Sequence, residues 1–176
     1  MRTKSVLISG ASIAGPALAY WLNRYGFETT IIERAPAIRP GGYAVDFRGA
    51  GMEVLKRMGI MEEIRKYETR TGKITMVDRN NKKLASMPDG FTSGELEIMR
   101  GDLAHVLYEA TRQNTDYIFN DSITGLTQRP DGVDVTFSRS AALQCELVVG
   151  ADGLHSSVRT LVFGEEARFL RELGLY

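Results

Sequence analysis

The chain has 176 residues, of which 43% are hydrophobic and 25% charged, a composition typical of a globular domain. Its 22 lysines and arginines balance 22 aspartates and glutamates, so the formal net charge is zero and no basic footprint for nucleic acid is expected. A single cysteine excludes an intramolecular disulfide and favours a cytoplasmic protein. With only two histidines beside it, a metal site is not expected. The sequence has no apolar stretch long enough to cross a bilayer, so no membrane partner is expected.

The first 33 residues form a predicted strand–helix–strand unit. Ser5–Ser9 is a short apolar run that ends at a glycine, as a buried parallel strand does. A second, β-branched strand covers residues 29–32 and ends at Glu33. The helix between them is predicted to stop at Gly26 and to carry its apolar residues on one face. The residues of that face are Ala14, Leu18, Trp21, Leu22 and Tyr25.

The middle of the chain is predicted to contain a loop, a short helix and a strand-like region. Residues 36–49 are rich in Gly, Pro and Arg and predict a loop. A short helix is predicted from the apolar spacing at 52, 55 and 58, closed by Gly59. Residues 72–99 are strand-like, with turn signals at 80–81 and 89–90.

The remaining elements are a second amphipathic helix, several strands and a last helix. The helix follows Arg100 and has apolar residues on one side. Residues 117–119 predict a third strand of the parallel sheet, and residues 130–132 join two alternating strands into a hairpin. A further strand is predicted at 143–149 and a helix at 156–163.

A glycine-rich turn connects the first strand to the first helix. Residues 10–15 have the G-x-G-x-x-G spacing, with serine in place of the middle glycine. The first glycine allows the tight turn, a small middle residue lets backbone approach a pyrophosphate, and the last glycine lets the helix pack close to the sheet. The helix N-terminus then presents N–H groups and partial positive charge to the anion. The predicted phosphate-site residues are Gly10, Ser12, Ala14 and Gly15.

Glu33 is the candidate ribose ligand. It lies 23 positions after Gly10, close to the spacing of about 20 at which dinucleotide-binding folds place a ribose-binding carboxylate. The alternative is a solvated strand end. The first 33 residues taken alone would suit an NAD-dependent dehydrogenase equally well.

Four further segments extend the pattern and run in order to about residue 164. They are Glu33-Arg34, residues 41–46 (Gly-Gly-Tyr-Ala-Val-Asp), residues 100–103 (Arg-Gly-Asp-Leu) and residues 150–159 (Gly-Ala-Asp-Gly-Leu-His-Ser-Ser-Val-Arg). With them the chain resembles the class A flavoprotein monooxygenases, the para-hydroxybenzoate hydroxylase-like group that includes tetracycline-inactivating monooxygenases. Residues 150–159 match the DG motif of that family, the most specific of these segments.

The resemblance implies that FAD is the dinucleotide. Glu33 would hold the adenosine ribose, Arg34 would flank the adenine or ribose, and Arg100 would reach the pyrophosphate or ribityl region. Asp152 and Gly153 would support the flavin nucleotide. The alternative roles are a surface ion pair for Arg100 and a helix N-cap for Asp152. Asp46 is included as a cofactor residue, with the shaping of a loop as its alternative role.

The resemblance also implies a reaction. In the complete enzyme, NADPH or NADH would reduce FAD, and one oxygen atom of O2 would enter an aromatic or polyketide-like small molecule. The flavin carries that chemistry, while the protein supplies placement and electrostatics. We therefore name no catalytic residue, and the sequence contains no Ser-His-Asp set or paired catalytic carboxylates.

We therefore predict an α/β protein with a Rossmann-like FAD-binding fold: a βαβ start, a parallel sheet and an antiparallel β-meander. The FAD/NAD(P)-binding domain is expected over residues 1–165, with substrate-domain strands inserted at about 72–99, and residues 166–176 are expected to begin a further substrate-domain segment. Because family members are about twice this length on ordinary domain sizes, most of the substrate domain is expected to be missing.

Two consequences and two alternatives follow. We expect this chain alone to retain FAD weakly or not at all and not to hydroxylate efficiently. We also expect the chain to associate with itself or to be completed by a missing C-terminal half. The first alternative is another FAD- or NAD-dependent oxidoreductase that shares the βαβ start. The second is a non-catalytic module with a vestigial nucleotide site.

Overall fold

The computed structural model describes residues 4–69, 74–88, 94–171 and 173–174. The chain divides into two compact units, one formed by residues 1–39 and 107–176 and the other by residues 40–106. The described strands are β1 (Ser5–Ser9), β2 (Glu28–Glu33), β3 (Ala44–Phe47), β4 (Thr75–Val77), β5 (Lys83–Ser86), β6 (Leu96–Met99), β7 (Thr115–Phe119), β8 (Ile123–Arg129), β9 (Gly132–Phe137), β10 (Leu143–Cys145) and β11 (Leu147–Gly150). The described helices are α1 (Ala14–Arg24), α2 (Ala50–Met58), α3 (Met61–Arg65), α4 (Arg100–Thr111) and α5 (Ser157–Phe163), followed by a 3₁₀ turn at Glu166–Arg168.

The first unit is built on a four-stranded parallel sheet in the order β11-β1-β2-β7. Leu7 pairs with Thr30 of β2 on one side and with Val148 of β11 on the other. This arrangement confirms the predicted α/β fold with its βαβ start and the placement of β7 in the parallel sheet. The domain boundary expected at residue 165 stays a prediction.

Side chains of β1 and β2 alternate between two hydrophobic clusters because successive residues of a strand point to opposite faces. One cluster lies on the α1 side and the other on the side of the antiparallel strands. The buried members of the first are Val6, Ile8, Ala11, Ala19 and Ile31. The buried members of the second are Leu7, Ile32, Ile123, Val135, Cys145 and Val158. Covered faces explain why these strands are almost continuously apolar in sequence.

The buried face of α1 differs from the predicted one. Gly15, Pro16 and Ala19 are its buried residues, whereas Ala14 is exposed and Tyr25 is 75% exposed. The helix begins directly at the glycine turn, so small residues make the closest approach to the sheet and the larger Leu18 and Leu22 pack beside them. Tyr25 follows the last helical residue and therefore leaves the face.

Three antiparallel strands, in the order β10-β9-β8, form the meander. Gly132 pairs with Arg129, which confirms the predicted hairpin at residues 130–132. The single strand predicted at 143–149 is wrong, because it divides at Glu146 into β10, which pairs with β9, and β11, which pairs with β1. The Glu146 carboxylate accepts a hydrogen bond from the Ser5 N–H at 2.7 Å, at the point where the chain changes sheets. Cys145 is buried, and that burial raises the pKa of its thiol.

The second unit contains the antiparallel pair β3–β6, the hairpin β4–β5 and the helices α2 and α3. The predicted loop at 36–49 is wrong at residues 44–47, because this short strand, although flanked by glycines, pairs with β6 and places Val45 opposite Ile98. Gly59 ends α2 in the left-handed conformation, as predicted. A turn is present at residues 80–81, and residues 89–90 lie outside the described part of the chain. No helix in the described ranges is both long and apolar enough to cross a membrane.

Candidate functional site

The glycine turn lies between the carboxyl end of β1 and the first residue of α1. The Gly10 N–H donates to the Ile32 carbonyl at 2.8 Å, which fixes the turn against β2. A Cβ atom on Gly15 would lie 2.0 Å from the Gly10 carbonyl oxygen, so only glycine fits where the helix meets the strand. Ser12 is partly buried and Ala14 is exposed as the first helical residue.

The N-cap residue of α1 supplies no side-chain hydrogen bond to the first helical turn. This residue is Ile13, whose side chain has no polar atom to accept from the first-turn N–H groups. The following helix is 11 residues long, so these N–H groups carry the positive end of its dipole. An anion at this position would accept hydrogen bonds from these N–H groups in place of a capping side chain, and a pyrophosphate is an anion of this kind.

Glu33 is buried at the carboxyl end of β2, with 8% of its surface exposed. Its Oε2 accepts from the Ala11 N–H at 2.9 Å, and its Oε1 accepts from the Ala35 N–H at 3.0 Å. The carboxylate therefore ties the glycine turn to the segment after β2. A carboxylate has about four acceptor positions, so these two bonds leave capacity for ribose hydroxyls. Arg34 is exposed beside it.

The DG motif begins where β11 ends, next to the glycine turn. The Ala151 N–H donates to the Ser9 carbonyl at 2.8 Å, so the carboxyl ends of β1 and β11 lie together. Ligands of open parallel sheets bind at this edge. The structure thus brings the glycine turn, Glu33 and Asp152 together in the first unit, and exposed Gly153 follows directly.

Asp152 holds the N-terminus of α5. Its Oδ2 accepts from the N–H groups of Ser157 at 2.8 Å and Val158 at 3.2 Å, and its Oδ1 accepts from the Ser156 hydroxyl at 2.5 Å. Ser156 is the N-cap residue itself, because its Oγ accepts from the Arg159 N–H at 3.0 Å. The capping role considered for Asp152 is therefore present in the structure, and its contact with FAD stays a prediction.

Arg100 and Asp46 lie in the second unit, each with local contacts. The Arg100 N–H donates to the Tyr43 carbonyl at 3.0 Å, and its guanidinium Nη2 lies 3.4 Å from the Gly41 carbonyl. Asp46 accepts from the Gly94 N–H at 2.9 Å, as expected of a residue that shapes a loop. The cofactor roles of Arg34, Arg100 and Asp46 stay predictions.

Asp121 is a buried acidic residue that the sequence patterns did not single out. It follows β7, and its N–H donates to the Glu33 carbonyl at 3.2 Å. Desolvation raises the pKa of its carboxyl, but hydrogen bonds from Ser140, Ser122 and Arg139 outweigh that effect and lower the pKa to about 2. The only sequence signal for it was an acidic residue just after a strand of the parallel sheet. A metal-binding cluster of acidic, histidine and cysteine side chains is absent from the described residues.

A strand, a glycine turn, a helix and a strand that ends in a buried glutamate define a dinucleotide-binding fold of the Rossmann type. Residues 3–167 match the FAD binding domain family, and the chain belongs to that family. The predicted resemblance to class A flavin monooxygenases is confirmed.

Three similar proteins extend this result. The chain is 46% identical to an uncharacterized protein of Mycobacterium tuberculosis, over 98% of this chain and 48% of that protein. It is 42% identical to a flavin-dependent monooxygenase from an unknown prokaryotic organism, over 99% of this chain and 46% of that protein. The crystal structure of tetracycline destructase Tet(55) matches with a TM-score of 0.84 at 39% identity, over 93% of this chain and 42% of that one. The chain thus spans about half the length of the relatives it matches.

Proposed function

We propose that this chain is the FAD-binding part of a monooxygenase that, when complete, uses NADPH or NADH to hydroxylate an aromatic or polyketide-like small molecule. The observation that carries the proposal is the joint packing of the glycine turn, Glu33 and the DG motif at one edge of the parallel sheet. The similar proteins named as flavin-dependent monooxygenases and as a tetracycline destructase support the reaction class.

The residues of the first unit suit the adenosine and pyrophosphate end of FAD. The first-turn N–H groups of α1 would donate to phosphate oxygens, and Ser12, which is partly buried, lies in the same turn. Glu33 would accept from ribose hydroxyls with the acceptor positions that Ala11 and Ala35 leave open. FAD, when bound, supplies the electron transfer and oxygen chemistry, while these residues bind and orient it.

An equilibrium flavin titration tests the proposal. We expect the isolated chain to bind FAD weakly, to bind it in preference to NAD, and to lose about tenfold or more in FAD affinity in Glu33→Ala, since one charged hydrogen bond is worth about 1.5–3 kcal/mol. Glu28→Ala, at the exposed start of the same strand, serves as the matched control. We expect no efficient NADPH or NADH oxidation by this chain alone.

Two results would contradict the proposal. Binding of NAD in preference to FAD would favour a different oxidoreductase. A folded chain without affinity for either nucleotide would favour a non-catalytic module.

A further inference from the structure

Two buried carboxylates lie at the carboxyl ends of neighbouring strands in the first unit. Glu33 is the last residue of β2, and Asp121 follows shortly after Phe119, the residue of β7 that pairs with Glu33. The two acids are 8% and 4% exposed. Glu33 accepts from two N–H groups and has acceptor positions left, whereas the Asp121 carboxylate is surrounded by donors. The two side chains therefore differ in their capacity for a ligand.

The Asp121 carboxylate uses its accepting capacity within the protein. Its Oδ1 accepts from the N–H groups of Ser122 at 2.7 Å and Arg139 at 3.0 Å, and its Oδ2 accepts from the Ser140 N–H at 2.8 Å. The Ser140 hydroxyl also donates to it. A carboxylate has about four acceptor positions, and these four donors fill them. Asp121 therefore holds protein groups in place and is not itself a ligand-binding acid.

These hydrogen bonds fix the turn after β7, and that turn braces the segment that begins at Glu33. The Asn120 N–H donates to the Ala35 carbonyl at 2.9 Å, and the Asp121 N–H donates to the Glu33 carbonyl at 3.2 Å. Asn120 has a φ angle of 60°, a left-handed conformation that asparagine tolerates. Ala35 is also the residue whose N–H donates to Oε1 of Glu33 at 3.0 Å. The position of the Glu33 carboxylate therefore depends on a backbone segment that the turn after β7 holds.

We infer that Asp121 is a positioning residue for the ribose site. Through the turn after β7, it holds the Glu33 carboxylate where the hydroxyls of a nucleotide ribose are bound. The inference rests on the proposed function, in which Glu33 accepts from those hydroxyls. Asp121 makes no contact with the nucleotide in this role and acts only through residues 33–35. Its loss should therefore weaken the recognition of the ribose hydroxyls selectively, and not nucleotide binding as a whole.

Discrimination between two nucleotides tests the inference. The probes are ADP and 2′-deoxy-ADP, which differ in one ribose hydroxyl, and the readout is the ratio of their dissociation constants. We expect the native chain to bind ADP about tenfold more tightly, as one hydrogen bond to a carboxylate predicts. In Asp121→Asn this ratio should fall by about threefold or more, because an amide has one acceptor oxygen in place of two and residues of one hydrogen-bond network are coupled to this extent. A loss of stability alone weakens both probes equally and leaves the ratio unchanged.

Two further variants complete the experiment. Asp116→Asn, at an exposed position of β7, is the matched control and should keep the native ratio. Ser140→Ala removes only the hydroxyl donor of the Asp121 carboxylate, and it should lower the ratio by a smaller factor of about two. The milder variant carries the test if Asp121→Asn does not fold.

The possible results separate this inference from the proposed function. An unchanged ratio in folded Asp121→Asn, or in Ser140→Ala where the first variant does not fold, would overturn the inference and leave the ribose role of Glu33 intact. A native chain that binds the two probes equally, or binds neither, would overturn the ribose role of Glu33 and the inference with it.

Discussion

Gly10 and Ala151 are in direct backbone contact: a Cβ atom on Gly10 would lie 2.4 Å from the Ala151 carbonyl oxygen. The φ angle of Gly10 is 110°, a conformation that favours glycine. The glycine turn and the DG motif, which are far apart in sequence, therefore fit together only if this residue has no side chain.

Gly10→Ala should destabilise the protein more than Gly26→Ala. Both glycines have positive φ, so both variants carry the backbone cost of about 1–2 kcal/mol. Only at Gly10 does the new methyl group also meet backbone, because nothing lies within 4 Å of a Cβ on Gly26. That overpacking should add about 1–3 kcal/mol, measured as the difference in free energy of unfolding in urea. Equal losses in the two variants would show that the contact with Ala151 relaxes freely.

Glu33→Gln should destabilise the nucleotide-free protein. A glutamine has only one acceptor oxygen, so one of the Ala11 and Ala35 N–H groups loses its partner. The expected loss is about 1–3 kcal/mol in the free energy of unfolding. Glu28→Gln, exposed on the same strand, should change stability little. A stable Glu33→Gln protein would mean that the carboxylate does not brace the turn.

Ser156→Ala and Asp152→Ala should distinguish the two roles considered for Asp152, which are capping of α5 and contact with the cofactor. Loss of the Ser156 cap should cost about 1 kcal/mol of stability, whereas Ser157→Ala, one residue later and exposed, should cost little. Titration of each variant with FAD then decides the role of Asp152. If Asp152 contacts the nucleotide, Asp152→Ala should lower FAD affinity well beyond the effect of Ser156→Ala. Equal effects in the two variants would assign Asp152 to capping alone.

Asp121 should make the fold acid-sensitive in a narrow window. The pKa of Asp121 is about 2 in the folded state, below the ordinary value of 3.8, so its ionised form stabilises the fold. This contribution is complete above about pH 4 and is lost as the pH falls towards 2. Urea unfolding between pH 5 and about pH 2 should show a smaller decline for Asp121→Asn than for the native chain. Asp131→Asn, in the exposed hairpin turn, is the control and should follow the native decline.

The sequence predicted the regular elements well where the apolar pattern of a segment agrees with the burial of its side chains in the structure. The apolar runs of β1 and β2 identify a covered parallel sheet, since α1 packs on one side and the meander on the other. The glycine turn could be predicted because its requirements are local: φ angle, small size and helix start. Glu33 was found by spacing alone, and the structure adds that its carboxylate is buried and braces the turn.

The rest depends on contacts that spacing does not encode. The break at Glu146 follows from a partner near the other end of the chain, Ser5. The short strand β3 lies in a glycine-rich segment that predicts a loop, and it is a strand because it pairs with β6. The Asp121 carboxylate accepts hydrogen bonds from the N–H groups of Arg139 and Ser140, in a loop that follows the second strand of the meander. Tertiary partners therefore decided the elements that local preference missed.

The division of residues 143–150 between two sheets has a consequence for synthesis of the chain. While the protein leaves the ribosome, β1 can pair with β2 early, but its other edge stays uncovered until β11 has emerged. The Ser5–Glu146 hydrogen bond spans 141 residues, so this closure is among the last steps. Until then the growing chain presents an apolar strand edge that other chains can pair with, and slow translation would prolong that exposure.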